Sequence, residues 1–241
     1  MTGLPPSESG IRDNSWISPK NTSSSSLTGG AVCSVYGPGV LPRPLWDIAF
    51  SQDESFTAFT ATDWDWFEQF TNNRSFLEAR NCPENDDECV FKETISFLKK
   101  EISRFNFVYF GSIDEAGHAH SWGSAKYYSA LKKVDEKIGK IVDLLPPKTL
   151  VLVTSDHGGE GWGHGAFDEA NLDAFLIIWS SEMNPLSTMK GLEFPGSNIR
   201  IAPTILSALG LKSGPFMSGV AYQLEKPGNF SLNDHTVLKI L

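Results

Sequence analysis

The chain has 241 residues, of which 40% are hydrophobic, and its formal net charge is −9. A chain of this length buries one substantial core, so we expect one domain over 1–241 with a loop-rich lead-in over about 1–45. The acidic balance excludes a broad basic surface of the kind that binds nucleic acid. No apolar run in the sequence reaches the length of a membrane span.

The first predicted elements follow a lead-in rich in Ser, Gly and Pro. A short strand is expected over 56–61, and the aromatic run 64–67 after it is typical of a helix start. A longer helix is expected next, because apolar residues recur at four-, three- and four-residue steps and so form one stripe. The residues of this stripe are Phe91, Ile95, Leu98 and Ile102.

A strand, a helix and a second strand come next in the chain. The run 105–110 is rich in β-formers, and the continuous apolar run 150–153 is typical of a strand buried in a parallel sheet. The stretch between them carries apolar residues on one helical face, namely Tyr127, Leu131, Val134, Ile138 and Ile141. This order predicts a βαβ unit with a right-handed crossover, and a third strand over 175–179 follows it.

Acidic and histidine side chains cluster after each strand of this unit. Asp114 and His118 follow the first strand, and Asp156, His157 and His164 follow the second. Parallel strands end at the same edge of their sheet, where open α/β sheets bind ligands. Carboxylates and neutral imidazoles are ligands of divalent metals such as Zn²⁺. The two clusters together therefore predict a metal site, although each one alone is more often a solvated loop or a hydrogen-bonded pair.

Two cysteines bracket a polar loop between the predicted elements. Cys82 and Cys89 are close enough in sequence for a local disulfide, and two unpaired thiols are the equal alternative. Asn-x-Ser/Thr sequons begin at Asn21, Asn73 and Asn229. A secreted protein, or a lumenal or membrane-anchored ectodomain, is the favoured interpretation, with any signal sequence upstream of this chain.

At these motifs the chain resembles the alkaline phosphatase superfamily, in its type I phosphodiesterase/nucleotide pyrophosphatase branch. The resemblance is carried by Asp-Glu-Ala-Gly-His at 114–118, Val-Thr-Ser-Asp-His-Gly-Gly at 153–159 and Gly-His-Gly at 163–165. The Ile-Ala-Pro-Thr-Ile segment at 201–205 also fits it. The resemblance implies an α/β fold with a mostly parallel sheet and helices on both faces.

The resemblance also implies two divalent metal ions, usually zinc in this family, and a small-molecule phosphoester as the substrate. Asp114, His118 and His164 match the ligands of one ion, and Asp156 with His157 match two ligands of the other. In the family, a Thr or Ser nucleophile forms a covalent phospho-enzyme that water then hydrolyses.

The start of the chain departs from the family pattern. Two stretches within 1–14 look like the family segment that follows the nucleophile, and Asn14 would then match a phosphate-contacting Asn. An ordinary turn Asn is the alternative. We therefore expect the first strand, its Asp ligand and the nucleophile to precede Met1, which would leave this chain inactive alone. Neither Thr2 nor Ser112 fits the nucleophile's place in the motif order.

Three functions remain open at this point. The leading one is a metal-dependent phosphoester hydrolase of the phosphodiesterase type. The second is a catalytically dead domain that binds metal and phosphoesters. The third is a sulfatase or a phosphoethanolamine transferase, and Cys33 argues against the sulfatase because it lacks the accompanying Pro-x-Arg context. The sequence does not distinguish nucleotide, phospholipid and simple phosphate esters, nor does it indicate an oligomeric state.

Overall fold

A computed structural model describes seven parts of the chain, namely 2–9, 11, 33–34, 37–38, 42–180, 196–222 and 236–241. Asn14 lies outside these described residues, so its contact with phosphate stays a prediction. The single domain over 1–241 and its lead-in stay predictions as well.

The described residues form the following elements in chain order. The helices are α1 (Pro6–Ser9), α2 (Leu45–Phe50), α3 (Glu68–Thr71), α4 (Asp87–Leu98), α5 (Ser112–His120), α6 (Ala125–Val142), α7 (Glu169–Leu172) and α8 (Ile201–Ala208). The strands are β1 (Cys33–Ser34), β2 (Gly37–Pro38), β3 (Ala58–Thr62), β4 (Leu77–Asn81), β5 (Phe105–Val108), β6 (Thr149–Thr154), β7 (Leu176–Ser180) and β8 (Thr236–Ile240). Single 3-10 turns precede α3 and α8.

Six strands form one sheet in the order β4-β3-β5-β8-β6-β7. Every neighbouring pair is parallel except β6 and β7, which are antiparallel. The predicted strand, helix and strand are confirmed as β5, α6 and β6, with β8 inserted between the two strands. Within β8, Lys239 lies opposite Phe107 on one side and Leu152 on the other.

Successive residues of a strand point to opposite faces of the sheet, so the apolar strands present apolar side chains on both faces. Helices pack against both of these faces. Phe105 and Phe107 of β5 join a core with α2 and α8, in which Trp46 and Ile205 are fully buried. Val108 of the same strand joins a second core on the other face. The helical residues of that second core come from α4 and α6 and include Val90, Phe97, Val134 and Ile141. The α/β fold implied by the resemblance, with a mostly parallel sheet, is therefore confirmed.

The cysteine loop joins β4 to α4, and Cys82 and Cys89 are bridged by a disulfide. Asp86 caps the amino terminus of α4, since its carboxylate accepts the backbone N–H of Cys89 at 2.9 Å. The disulfide and the cap together fix the chain where it leaves the sheet edge. None of the helices in the described part of the chain combines the length and the apolar character that crossing a bilayer requires.

Candidate metal centre

Helix α5 carries the first acid–histidine pair at the carboxyl end of β5. Asp114 and His118 are one turn apart, which places Asp114 Oδ2 at 3.5 Å from His118 Nε2. The preceding Gly111 donates its N–H to both carboxylate oxygens of Asp63, at 3.0 and 3.3 Å. The helix ends at His120, and the next residue, Ser121, has a positive φ of 74° and donates its N–H to the carbonyl oxygen of Gly117 at 2.8 Å. These contacts fix both ends of the short helix.

A glycine-rich loop after β6 brings two more imidazoles to the same place. The rings of His157 and His164 are stacked with their centroids 3.7 Å apart. Their Nε2 atoms lie 3.8 and 3.7 Å from Asp114 Oδ1. The loop turns back through Gly161, whose φ of 60° suits a residue without a Cβ. Asp114 is therefore the point at which the two clusters meet.

Backbone carbonyl groups orient two of the imidazoles. His118 Nδ1 lies 3.0 Å from the carbonyl oxygen of Trp162, and His157 Nδ1 lies 2.7 Å from that of Gly158. A carbonyl oxygen only accepts, so each Nδ1 carries the proton and donates it. Each Nε2 then presents a lone pair toward Asp114, which is the arrangement that metal-binding histidines use.

The spacing of these atoms fits a metal ion better than direct hydrogen bonds. Asp114 Oδ1 is buried and has no hydrogen-bond partner among the described residues. Ligand atoms held about 2.05 Å from a tetrahedral Zn²⁺ are about 3.4 Å apart, whereas hydrogen bonds span about 2.7–3.2 Å. The ligand atoms of Asp114, His118 and His164 all lie within 4.8 Å of one another, so this group could hold a metal ion.

The structure places the other two predicted ligands beside this group. Asp156 Oδ2 lies 3.8 Å from His157 Nε2, the same nitrogen that faces Asp114. His157 thus lies between the carboxylates of Asp114 and Asp156. All five predicted ligands are brought to one edge of the sheet, and their division between two ions stays a prediction.

A cavity of about 540 Å³ opens at this edge. Asp114, Asp156 and His157 line one part of it. The rest is mainly apolar and aromatic, with lining residues that include Tyr109, Ile113, Trp122, Tyr127, Tyr128 and Phe175. Trp122 therefore lines the cavity. Phe67, in contrast, is part of the hydrophobic core, and Trp64 and Trp66 pack against that core. The cavity therefore combines an acidic, imidazole-bearing part with an apolar part, as ligand pockets commonly do.

Burial and charge shift the pKa values of two residues at this site. Burial, and then the charge of His157, lowers the pKa of His164, which favours the neutral imidazole that binds metals. Burial raises the pKa of Tyr109, and the carboxylates of Asp156 and Asp114 raise it further. The phenol of Tyr109 therefore stays protonated at neutral pH and can donate a hydrogen bond.

Sequence reasoning missed a buried carboxyl pair beneath the amino terminus of α5. Asp63 is fully buried directly after β3, and Asp87 is buried in the first turn of α4. Ser112 donates its backbone N–H to Asp87 Oδ1 at 3.1 Å and its hydroxyl to Asp87 Oδ2. An acidic residue directly after an apolar strand is the signal that could have found Asp63. The pair holds in place the helix that carries Asp114.

The fold and the site together define an α/β domain of the alkaline phosphatase superfamily, with acidic and histidine side chains at the carboxyl edge of its sheet. The model of one family in that superfamily matches residues 1–173. The chain belongs to the type I phosphodiesterase/nucleotide pyrophosphatase family, which acts on phosphoesters.

Curated relatives include several proteins named GPI ethanolamine phosphate transferase 1. The protein from Yarrowia lipolytica is 31% identical over 128 residues, or 49% of this chain. The Mus musculus protein is 29% identical over 153 residues, and the Gibberella zeae protein is 30% identical over 171 residues, or 60% and 66% of this chain. The matched segments span 14%, 14% and 16% of these three relatives.

Proposed function

We propose that the chain is a metal-dependent domain that processes phosphoesters, with Asp114, His118, Asp156, His157 and His164 as metal ligands. The observation that carries this proposal is Asp114 Oδ1, which is buried without a hydrogen-bond partner among the described residues. Three imidazole Nε2 atoms lie 3.5 to 3.8 Å from oxygens of the Asp114 carboxylate. A carboxylate oxygen that is shielded from water without a hydrogen-bond donor is unfavourable unless a cation balances its charge. Zinc is the first candidate, because imidazole and carboxylate suit it.

The residues around the cavity have separate parts in the proposed reaction. When bound, the metal ions neutralise and polarise the phosphoryl group. The Trp162 carbonyl fixes the tautomer of His118, and the Gly158 carbonyl fixes that of His157. Tyr109 offers a phenol O–H to a phosphoryl oxygen. The hydroxyl nucleophile that the family resemblance implies stays a prediction.

We favour transfer of an ethanolamine phosphate group over hydrolysis, because three relatives carry that activity in their names. In a transfer, the bond from phosphorus to the donor alcohol breaks and a bond to an acceptor hydroxyl forms, while the acceptor's proton goes to the departing alcohol. Hydrolysis of a phosphodiester is the second candidate, supported by the family description. The two reactions differ only in whether the acceptor is an alcohol or water.

Zinc binding tests the proposed metal centre directly. We expect the wild-type chain to bind Zn²⁺ in titration calorimetry. Asp114→Asn and His118→Ala should each weaken binding more than about a hundred-fold, because losing a metal ligand lowers the affinity more than losing a residue that only hydrogen-bonds to a ligand. His120→Ala is the matched control, because His120 is exposed on the same helix and lies outside the ligand group. Equal zinc affinity in all four proteins would contradict the proposed site.

The reaction is tested on the native protein purified from its source. A donor phosphodiester labelled in its ethanolamine group is incubated with a GPI acceptor, the acceptor class that the names of the relatives give. Label on the acceptor indicates transfer, whereas free ethanolamine phosphate indicates hydrolysis. His164→Ala should abolish either reaction, and a protein that retains full turnover with His164→Ala would refute the assignment.

An oxidising compartment is the location that we propose. The bridged Cys82 and Cys89 support it, because such disulfides persist in secreted and lumenal proteins. Asn73 begins a sequon, and its side chain is exposed in the turn before β4. Attachment of a glycan at Asn73, detected as a mass shift removed by a glycosidase, would support a lumenal or secreted location. An unmodified Asn73 together with reduced cysteines in the native protein would overturn it.

A further inference from the structure

Trp122 lies between the two segments that carry the candidate metal ligands. A Cβ placed on Gly117 of α5 would lie 2.6 Å from the Trp122 indole, and a Cβ on Gly159 of the loop would lie 2.3 Å from it. Such distances are shorter than real carbon–carbon contacts, so any other residue at either position would push the indole away. The indole therefore fills the gap between the helix and the loop.

Further contacts of Trp122 join the same two segments. Its backbone N–H donates to the carbonyl oxygen of Gly161 at 2.7 Å, which ties the end of α5 to the turn of the loop. Its ring centroid lies 5.0 Å from that of His118 and 5.9 Å from that of His164. One side chain thus touches a candidate ligand from each cluster, and both glycines are needed to admit it.

We propose that Trp122 is a positioning residue that sets the separation between His164 and the pair formed by Asp114 and His118. Its indole is a rigid spacer, and the two glycines let it contact backbone on both sides. The proposal rests on the metal centre described under the proposed function. Trp122 itself offers no ligand atom, so its effect on metal affinity comes only through the position of the histidines.

The first measurement compares zinc affinity in Trp122→Ala, Trp122→Phe and Phe167→Ala. Phe167 is the matched control, because it is an aromatic residue of the same loop with 95% of its surface exposed. We expect Trp122→Ala to weaken zinc binding about ten- to a hundred-fold, the usual effect of losing an orienting partner, and Trp122→Phe to have an intermediate effect. Phe167→Ala should bind as wild type does. Affinity of Trp122→Ala within about two-fold of wild type would overturn the proposal.

The second measurement separates positioning from a general loss of stability. Gly159→Ala must displace the indole, so it should weaken zinc binding as Trp122→Ala does. In the double variant the indole is gone and the new methyl group fits, so Gly159→Ala should add less than about two-fold. Additive losses would overturn the proposal. If Trp122→Ala does not fold, the zinc affinities of Gly159→Ala and Trp122→Phe test the proposal instead. Wild-type affinity in both variants would overturn it.

A third measurement does not depend on metal. Amide hydrogen exchange over 157–165 in chelator-treated protein should accelerate in Trp122→Ala and stay unchanged in Phe167→Ala. If wild-type protein binds no zinc, the metal centre is wrong, and the exchange result alone supports or overturns the role of Trp122 in holding the loop. If zinc binds and exchange does not respond, Trp122 does not position the loop.

Discussion

Replacing Asp63 by Asn is expected to change how the stability of the protein depends on pH. Asp63 is fully buried at the end of β3, where it accepts the N–H of Gly111. Burial, and then the nearby charge of Asp87, raises the pKa of Asp63 from 3.8 to about 7. The folded state therefore favours the protonated acid, and an Asn amide reproduces the shape and hydrogen-bonding of that acid without titrating.

The size of the effect follows from this pKa. One pKa unit corresponds to about 1.4 kcal/mol, so ionisation of the buried Asp63 carboxyl costs the folded state up to about 4 kcal/mol. Below pH 3.8 the acid is protonated in both states and the cost is absent. Between pH 3.8 and about 7 only the unfolded chain releases the proton, so the free energy of unfolding falls as pH rises. Above that range the full cost remains.

Urea unfolding of metal-free protein over this pH range tests the expectation. Relative to wild type, Asp63→Asn should gain up to about 4 kcal/mol in unfolding free energy between about pH 4 and pH 8. Asp65→Asn is the matched control for the loss of a carboxylate, because Asp65 is exposed and only two residues away in the sequence. A flat difference for Asp63→Asn, within about 0.5 kcal/mol, would show that the buried acid does not titrate as argued.

Three further predictions concern the stability of the fold. The disulfide between Cys82 and Cys89 closes a loop of sequence separation 7, and replacing both by Ser should lower the unfolding free energy by about 2.5 kcal/mol in urea titrations; no change would mean that the loop is equally restrained without the bridge. Burial lowers the pKa of Lys239 from 10.5 to about 8, so Lys239→Met should stabilise the protein by about 1–3 kcal/mol at neutral pH. That gain should vanish above pH 10.5, where the amine is neutral in both states, and a gain independent of pH would contradict the charge argument. Trp46 is fully buried and its indole N–H donates to the carbonyl oxygen of Phe70 at 3.0 Å. Thermal unfolding of Trp46→Ala should show a loss of about 3–5 kcal/mol, whereas a loss below about 1 kcal/mol would place that core elsewhere.

The elements with strong local patterns were predictable from sequence. The apolar runs of β5 and β6 matched the structure, because burial on both faces leaves a continuous apolar run in the sequence. The predicted helix is present as α4, but it ends at Leu98 before Ile102, and its buried face is centred on Val90 and Phe97 rather than on the predicted stripe. The motif residues after β5 and β6 lie at one edge of the sheet because the carboxyl ends of parallel strands meet at the same edge. The meeting of these candidate ligands at one edge was thus predictable without any knowledge of side-chain contacts, and their role as metal ligands stays a prediction.

The remaining features depend on contacts between distant segments. Strand β8 has a Lys in its apolar run, and only the structure shows that Lys239 pairs between Phe107 and Leu152. Helix α5 is short and contains Gly117, so its sequence has weak helical character. The role of Trp122 was equally hidden, because it requires two glycines that lie 42 residues apart in the sequence to face each other, Gly117 and Gly159.

The central place of β8 has a consequence for folding kinetics. Asn106 of β5 hydrogen-bonds across to Val237 over a sequence separation of 131 residues. Until β8 arrives, β5 and β6 each present an open edge and apolar faces, which are templates for association with other chains. Closing such distant contacts is slow because the entropy of the intervening chain must be lost first. The sheet is therefore completed late, and a newly made chain depends on protection of the open edges of β5 and β6 until β8 has paired with both.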